Sequence, residues 1–421
     1  MSYDLPLTAF TRRQFLSTGL VMASAAVAVP HFIQASAMGL QRAQPGAKSI
    51  PGVNEDNVFV VIQLSGGNDG LNTVVPFGDQ AYYRARPGIG VRADRVIKLS
   101  KAEEGLHPSL APLADLYNEG LLGIVQGVGY PNPNRSHFKS MDIWQSASPD
   151  AKLPFGWIGR SMDERLAQQM YNPVACVGLS TGRPLALQAK DASIPCFASL
   201  ADIKSLVGNA DAEKLLRQIQ GRDAEQGSAI RTIQDANRAA LDAMNLLNAK
   251  LDGAKPKQTY GENGFGRGFA QISQLLMASP QTRVVYFSHG GFDTHSRQKD
   301  AHAKLMQEFS DAVLAFQREM EAAGLDKKVT LLVFSEFGRR VEENGSLGTD
   351  HGEAAPMFLI GSRVKGGFHG PNPDLTNLSR GDVPWKTDFR SVYATTLENW
   401  LGNDAGLVLG SEFPTLDLIK S

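Results

Sequence analysis

The sequence predicts an α/β fold, doubly wound, in which a mostly parallel sheet is flanked by helices. Three observations carry that expectation. The apolar runs are short, rich in β-branched residues and continuous instead of alternating, as strands covered on both faces require. Each run stops abruptly in glycine and polar residues. Amphipathic helices of suitable length separate the runs, and strand–helix–strand units build parallel sheets.

Before the first strand, Thr11-Arg12-Arg13-Gln14-Phe15-Leu16 opens an apolar segment that runs to Ile33. An arginine pair, a moderately apolar core rich in Ala, Val and Ser, and then Ala35-Ser36-Ala37 match a twin-arginine export signal with a cleavage site after Ala37. Such signals carry folded cargo, so the chain is expected to work in the periplasm or outside the cell, after engaging the twin-arginine (Tat) export machinery. The alternatives are an uncleaved anchor or an ordinary N-terminal helix. Beyond this segment no apolar run reaches the eighteen or so residues of a membrane span, so no membrane association is expected after cleavage.

A linker over 38–56 leads to Val58–Leu64, read as a buried strand. His107-Pro108 introduces a helix over Leu110–Tyr117, followed by a strand over Leu121–Gln126 and a helix over Ser136–Ala147. The stretch of about 150–265 has only weak strand candidates, Val174–Val177 and Leu185–Leu187, then long polar helices over Ala210–Ile219 and Asp223–Leu251. It reads as a helical insertion or cap on the α/β domain that spans 57–421. Regular α/β pattern then resumes: strand Thr282–Phe287, helix Asp300–Ala323, strand Lys328–Phe334, short strand Met357–Ile360 and terminal helix Ser391–Leu401.

Lys plus Arg number 42 against 43 Asp plus Glu, so no basic field favours nucleic acid. The two cysteines, Cys176 and Cys196, read either as a disulfide or as two separate buried thiols, and two thiolates are too few for a zinc site built on cysteine.

Ligands of open parallel sheets bind at the carboxyl ends of strands. There this chain places Asn68-Asp69, Asn134-Arg135-Ser136-His137, Ser288-His289…Asp293-Thr294-His295, and Ser335-Glu336…Arg339, with Asp350-His351 on the loop beyond. Four of the eight histidines, His137, His289, His295 and His351, fall in these loops. Singly, each residue has a structural reading: Asp69 as a turn or cap residue, Ser136 as a helix N-cap, Asp293-Thr294-His295 as a hydrogen-bonded turn, Asp350-His351 as a loop ion pair. Jointly, carboxylates and imidazoles suit Zn²⁺ or Mn²⁺ better than Ca²⁺ or Mg²⁺.

The segments Gly66-Gly67-Asn68-Asp69-Gly70-Leu71-Asn72, Leu106-His107-Pro108-Ser109-Leu110, Arg135-Ser136-His137-Phe138, Phe292-Asp293-Thr294-His295, Ser335-Glu336-Phe337-Gly338-Arg339 and Gly348-Thr349-Asp350-His351-Gly352 resemble the Tat-exported domain-of-unknown-function family 1501. The likeness covers nearly the whole mature chain. That family is similar in fold to the alkaline phosphatase and sulfatase superfamily. The resemblance implies a metal-dependent hydrolase of phosphate or sulfate esters, acting on a small-molecule or polymer ester, with two divalent ions. By the same carry-over Ser136 is the nucleophile, Asp69 a strand-end metal ligand, Asp293 and His295 ligands of one ion, and Asp350 and His351 ligands of the other. His369 completes the first-ion site, and Arg135 or Arg339 pairs with the oxyanion. The chain departs from the superfamily in having Asp293-x-His295 for Asp-x-x-x-His, and Glu336 where an Asp-His pair is usual, which makes Glu336 a further candidate ligand. No Cys-x-Pro-x-Arg surrounds either cysteine, which disfavours a formylglycine sulfatase. These departures keep open a second expectation, an exported binding or assembly protein on the same fold.

Overall fold

The structure, a computed structural model, describes residues 53–99, 103–168, 172, 174–192, 194–201, 247, 248 and 250–420. The twin-arginine segment with Arg12, Arg13 and the cleavage position after Ala37, most of the linker, and most of the two long polar helices expected over 210–251 lie outside the described residues.

Nine strands form one sheet: β1 (Val58–Leu64), β2 (Leu122–Gly129), β3 (Cys176–Leu179), β4 (Cys196–Phe197), β5 (Val284–His289), β6 (Val329–Phe334), β7 (Ala355–Ile360), β8 (Gly367–His369) and β9 (Thr387–Asp388). Their order is β8-β2-β7-β6-β1-β5-β3-β4, with β9 also pairing β2. All pairings are parallel except those of β7, which runs antiparallel to both β2 and β6. The expected mostly parallel α/β sheet is therefore observed.

β1 shows why its sequence is apolar throughout. Val58, Val60, Ile62 and Leu64 enter the core on one face, while Phe59 and Val61 enter the core on the other. The first face is covered by α1 (Ala111–Asn118), α4 (Gly264–Ala278) and α5 (Gln298–Ala322), through residues such as Leu113, Phe269, Phe309 and Phe316. The second is covered by α2 (His137–Ser146), α3 (Trp157–Ala167), α6 (Phe389–Thr396) and α7 (Ala405–Leu409). There Trp144 stacks between Phe334 and Phe389, at 5.5 and 4.4 Å between ring centroids. β5, α5 and β6 make the expected crossover, with β1 inserted between the two strands it joins.

Several boundaries differ from those expected, for physical reasons. β5 continues through the polar Ser288 and His289 because Gln63 and Leu64 of β1 supply ladder partners beside them. The terminal helix ends its regular α turns at Thr396 and finishes in a π turn, Leu397–Leu401, before Gly402 at φ +72°. Leu185–Leu187 is a 3₁₀ turn and not a strand. Pro184 precedes it, its Leu185 and Ala186 carbonyls press onto Gly156, the N-cap of α3, and the following Gln188 carbonyl presses onto Gly159 within α3, where no side chain fits. Within the 150–265 stretch, β3 and β4 extend the main sheet beside β5. Cys176 and Cys196 are free thiols on these strands, and burial pushes Cys196 up to about 11. No described helix is long and apolar enough to cross a membrane.

Candidate metal centre and active site

The parallel strands β1, β5 and β6 end side by side, and the loops beyond them interlock. Gly66, at φ +120°, stands so close to the Phe292–Asp293 backbone that a Cβ would lie 2.5 Å from the Asp293 nitrogen. Gly67, at φ +73°, leaves room for the Phe337 ring, which would be 2.2 Å from a Cβ there. These two glycines admit conformations and approaches closed to other residues.

The Asp350-His351 pair is distant from β6 in sequence yet returns to its end. Arg340 N–H donates to the Asp350 carbonyl at 2.9 Å, and Gly352 N–H to the Gly338 carbonyl at 2.8 Å. This short antiparallel bridge sets Arg339 opposite His351. The loop that separated the pair from the strand end in sequence is folded out of the way.

Four side chains consequently meet. Asp293 Oδ1 lies 3.1 Å from His351 Nε2, 3.0 Å from His295 Nε2 and 3.3 Å from His137 Nε2. The His295 and His351 Nε2 atoms are 2.9 Å apart. His137, Asp293 and His351 form the one group among the described residues whose donor atoms converge as ligands of an ion.

The outer nitrogens of the rings decide what the inner ones offer. His351 Nδ1 is 2.7 Å from the Arg135 carbonyl, which only accepts, so Nδ1 carries the proton and Nε2 a lone pair. His137 Nδ1 donates to Glu336 Oε1 at 2.9 Å, which leaves a lone pair on a buried Nε2 without a hydrogen-bond partner. His295 Nδ1 faces Asp350 Oδ1 at 3.3 Å. Carboxylates and carbonyls behind imidazoles are the usual supports of metal-binding histidines. Burial holds His351 below its ordinary pKa, favouring the neutral ring. The hydrogen bond to Glu336 raises that of His137. Burial raises the Asp293 carboxyl, but Arg339 and His351 outweigh it and draw it to about 2. Lone pairs crowded onto a carboxylate repel one another until a proton or a cation enters, so the donor set fits a divalent ion. Asp293 Oδ1 stands within the separations that ligands about 2.0–2.2 Å from one Zn²⁺ keep, and His295 Nε2 lies beside Asp293 and His351.

The remaining expected residues occupy different places. Glu336 is fully buried and accepts from Gly66 N–H at 2.8 Å as well as from His137, so it orients a ring from behind. Asp350 stands at the rim, held by Asn344 Nδ2 at 3.1 Å. The pairs expected to hold separate ions, Asp293 with His295 and Asp350 with His351, thus share one cluster. Arg339, expected at the oxyanion, donates to the Gly66, Gly67, Phe292 and Thr349 carbonyls and to Asp293 at 2.7 Å. Its guanidinium is spent on tying the loops together. Arg135 is paired with Asp382, with Glu353 at 3.6 Å. His369 lies on the edge strand β8 and contacts the Lys365 carbonyl at 2.7 Å, apart from the cluster. His289 packs on Phe265, 4.1 Å between ring centroids.

Asp69 is also not brought to the cluster. It caps the helical turn Gly70–Thr73, accepts from Arg86 at 2.7 and 2.9 Å, and accepts from Gln298, all without exposure to solvent. Ser136 does sit beside the cluster: it precedes His137 and follows the carbonyl that holds His351. It is the N-cap residue of α2, exposed, and its hydroxyl makes no capping bond. Of the functional side chains, sequence reasoning missed His137 as a ligand, although it stood among the four strand-end histidines. Arg86, which claims Asp69, gave no signal, because nothing local links an arginine just past a short helix to an aspartate seventeen residues earlier.

Several solved structures resemble the chain at low identity. They include the zinc complex of the C-terminal periplasmic domain of EcEptC from Escherichia coli (10% identity, TM-score 0.33, 75% of each chain covered). The lipoteichoic acid synthase LtaP from Listeria monocytogenes resembles it at 9% identity and TM-score 0.35, covering 89% of this chain and 81% of that one. The PsFucS1 sulfatase from Pseudoalteromonas sp. does so at 11% and 0.37, covering 91% and 74%. No curated protein matches the chain. Residues 126–407, more than half of the sequence, match the profile of the proteins of unknown function DUF1501, and the chain belongs to that family.

Proposed function

We propose that this protein is a metal-dependent hydrolase of phosphate or sulfate esters, exported to the periplasm or beyond, with Ser136 as its nucleophile. The observation that carries the reading is the convergence of Asp293 Oδ1 with the Nε2 atoms of His137, His295 and His351 beside an unengaged serine hydroxyl. Asp293 and the three histidines would hold one divalent ion, zinc or manganese by their chemistry. When bound, that ion supplies Lewis acidity toward the ester oxygens and the serine.

The chain's own residues supply the rest. Ser136 opens α2, so the unpaired N–H groups of the first turn and the helix dipole face an anionic ester there. A bond from Ser136 Oγ to phosphorus or sulfur forms as the bond to the leaving oxygen breaks, and the serine proton passes to the departing alcohol; water then attacks phosphorus or sulfur, the bond to Oγ breaks and Oγ takes back a proton. Glu336 and the Arg135 carbonyl fix the ring tautomers, while Arg339 holds Asp293 ionised and in place. Since Arg135 and Arg339 are paired within the protein, the backbone of α2 takes the part the sequence resemblance gave to an arginine.

Metal analysis of the purified protein, combined with hydrolysis of aryl phosphate and aryl sulfate, tests this. One bound zinc or manganese ion is expected, with hydrolysis falling more than about a hundredfold in Ser136→Ala. A metal-free protein with no hydrolysis to lose would favour the exported binding or assembly protein.

A further inference from the structure

A cleft of about 740 Å³ opens at the carboxyl ends of β3 and β5, on the same edge of the sheet as the cluster. Leu179, the last residue of β3, lines it together with Phe287, Ser288 and His289, which end β5. Its walls are the loop 180–184 and the start of α4, where Gly264 and Gly268 let the helix close onto the His289 and Phe287 rings. Arg183 from the loop and Arg267 from the helix line the cleft, and no carboxylate does. Both arginines are exposed, and neither is in an ion pair among the described residues. A concave surface lined by one sign of charge concentrates ions of the other sign, and guanidinium forks match oxyanions.

The chain itself joins this cleft to the cluster. His289 stands four residues before Asp293, a stretch that spans at most about 14 Å when fully extended. Ser65 ties that stretch near both ends: its N–H donates to the His289 carbonyl at 2.8 Å, and its carbonyl accepts from Phe292 N–H at 3.3 Å. The opposite wall is anchored to the same neighbourhood. Loop 180–184 runs into the 3₁₀ turn whose Ala186 N–H donates to Gln145 Oε1 at 3.4 Å, on α2, the helix that Ser136 opens. One ligand of modest length can therefore reach both places.

We propose that this cleft is a second anion subsite, and that the substrate is a polyanion: an ester that carries another anionic group beside the one cleaved. Arg183 and Arg267 hold that second group while the ester lies at the cluster and Ser136. This rests on the reading of the cluster as a site for anionic esters. A substrate with a single anionic group would leave the two arginines nothing to bind, and a cationic one would be repelled by them.

Calorimetric titration of the zinc-loaded protein with octylphosphonate and with octane bisphosphonate tests the subsite apart from catalysis. The two resist hydrolysis and differ only in a second phosphonate at the far end of the same chain. The native protein is expected to bind the bisphosphonate about tenfold more tightly or better, from charge-assisted hydrogen bonds at the second group. Replacing Arg183→Ala and Arg267→Ala together is expected to bring the two ligands to within about twofold, with octylphosphonate affinity, bound zinc and melting temperature unchanged. Arg183→Lys with Arg267→Lys is expected to keep part of the preference, because the charge stays while the fork is lost. Asp293→Ala is expected to weaken both ligands. Equal affinity of both for the native protein, a preference that survives the double alanine variant, or bisphosphonate binding unmoved by Asp293→Ala overturns the subsite, while octylphosphonate binding leaves the ester site standing. Failure of both ligands to bind overturns the ester site and the subsite together.

Discussion

Asp69 and Asp293 follow neighbouring parallel strands at one edge of the sheet, and the molecule uses them in opposite ways. Leu64 and His289 are ladder partners, so the two aspartates start from matched positions a few residues beyond β1 and β5. Asp69 turns inward and is fully buried, with Arg86 as its counter-ion. Burial pushes its carboxyl up, and the charges of Arg86 and His302 override that and hold it below its ordinary value. Asp293 stays 47% exposed and gathers three imidazoles around one oxygen. The same residue type after the same kind of strand becomes a structural anchor in one case and a candidate ligand in the other. A cation already supplied by the chain quenches the first carboxylate. The second keeps lone pairs pointed at open space, although Arg339 touches it too.

The largest expected effect that would break this comparison is on stability. Asp69→Ala leaves the Arg86 guanidinium buried without its counter-ion, and such losses cost about 3–5 kcal/mol. Asp293→Ala removes a half-exposed carboxylate whose buried partner Arg339 keeps its four carbonyl acceptors, a loss worth roughly 1–2 kcal/mol. Urea unfolding of both variants measures the difference. Added zinc is expected to raise the midpoint of the native protein and of Asp69→Ala but not of Asp293→Ala. The reverse order would exchange the two roles.

Acid sharpens the same contrast. Behind Asp69, His302 donates from Nε2 to Asn68 Oδ1 at 3.0 Å, and its ring meets His107 edge to face. Burial draws both histidines down to about 4. In the unfolded chain they take up protons near pH 6.5, while the folded chain keeps them neutral until about pH 4. Their contribution is therefore complete above about pH 6.5 and lost as pH falls toward 4, at up to about 1.4 kcal/mol per pH unit for each ring. Stability of the metal-free protein measured across that window is expected to slope accordingly, and His302→Gln to reduce the slope by about half. An unchanged slope would place the acid-sensitive groups elsewhere.

The smallest expected effect falls on the support behind the open cluster. Glu336→Gln keeps the shape but removes the charge that orients His137, and such changes lower metal affinity about 10–100-fold. Competition with a coloured zinc chelator reads it directly. An unchanged affinity would make Glu336 part of the scaffold alone.

Much of the fold was legible because β1, β5 and β6 are buried on both faces and so must be apolar along their length. The bounds expected for the first strand, Val58–Leu64, coincide with those observed. The strand-end loops were legible as the place of the chemistry for the same reason, since polar residues at such ends have no core to enter. What remained hidden was pairing between distant side chains. Arg86 claims Asp69, Arg339 is consumed by four carbonyls, and His137 swings toward Asp293 only because Glu336 lies behind it. Local sequence fixes which residues reach the edge of the sheet, through periodicity and the positions of glycine. Which carboxylate is quenched and which stays open depends on burial and on the charge that folding sets beside it, and both arise only when the loops of three strands close on one another.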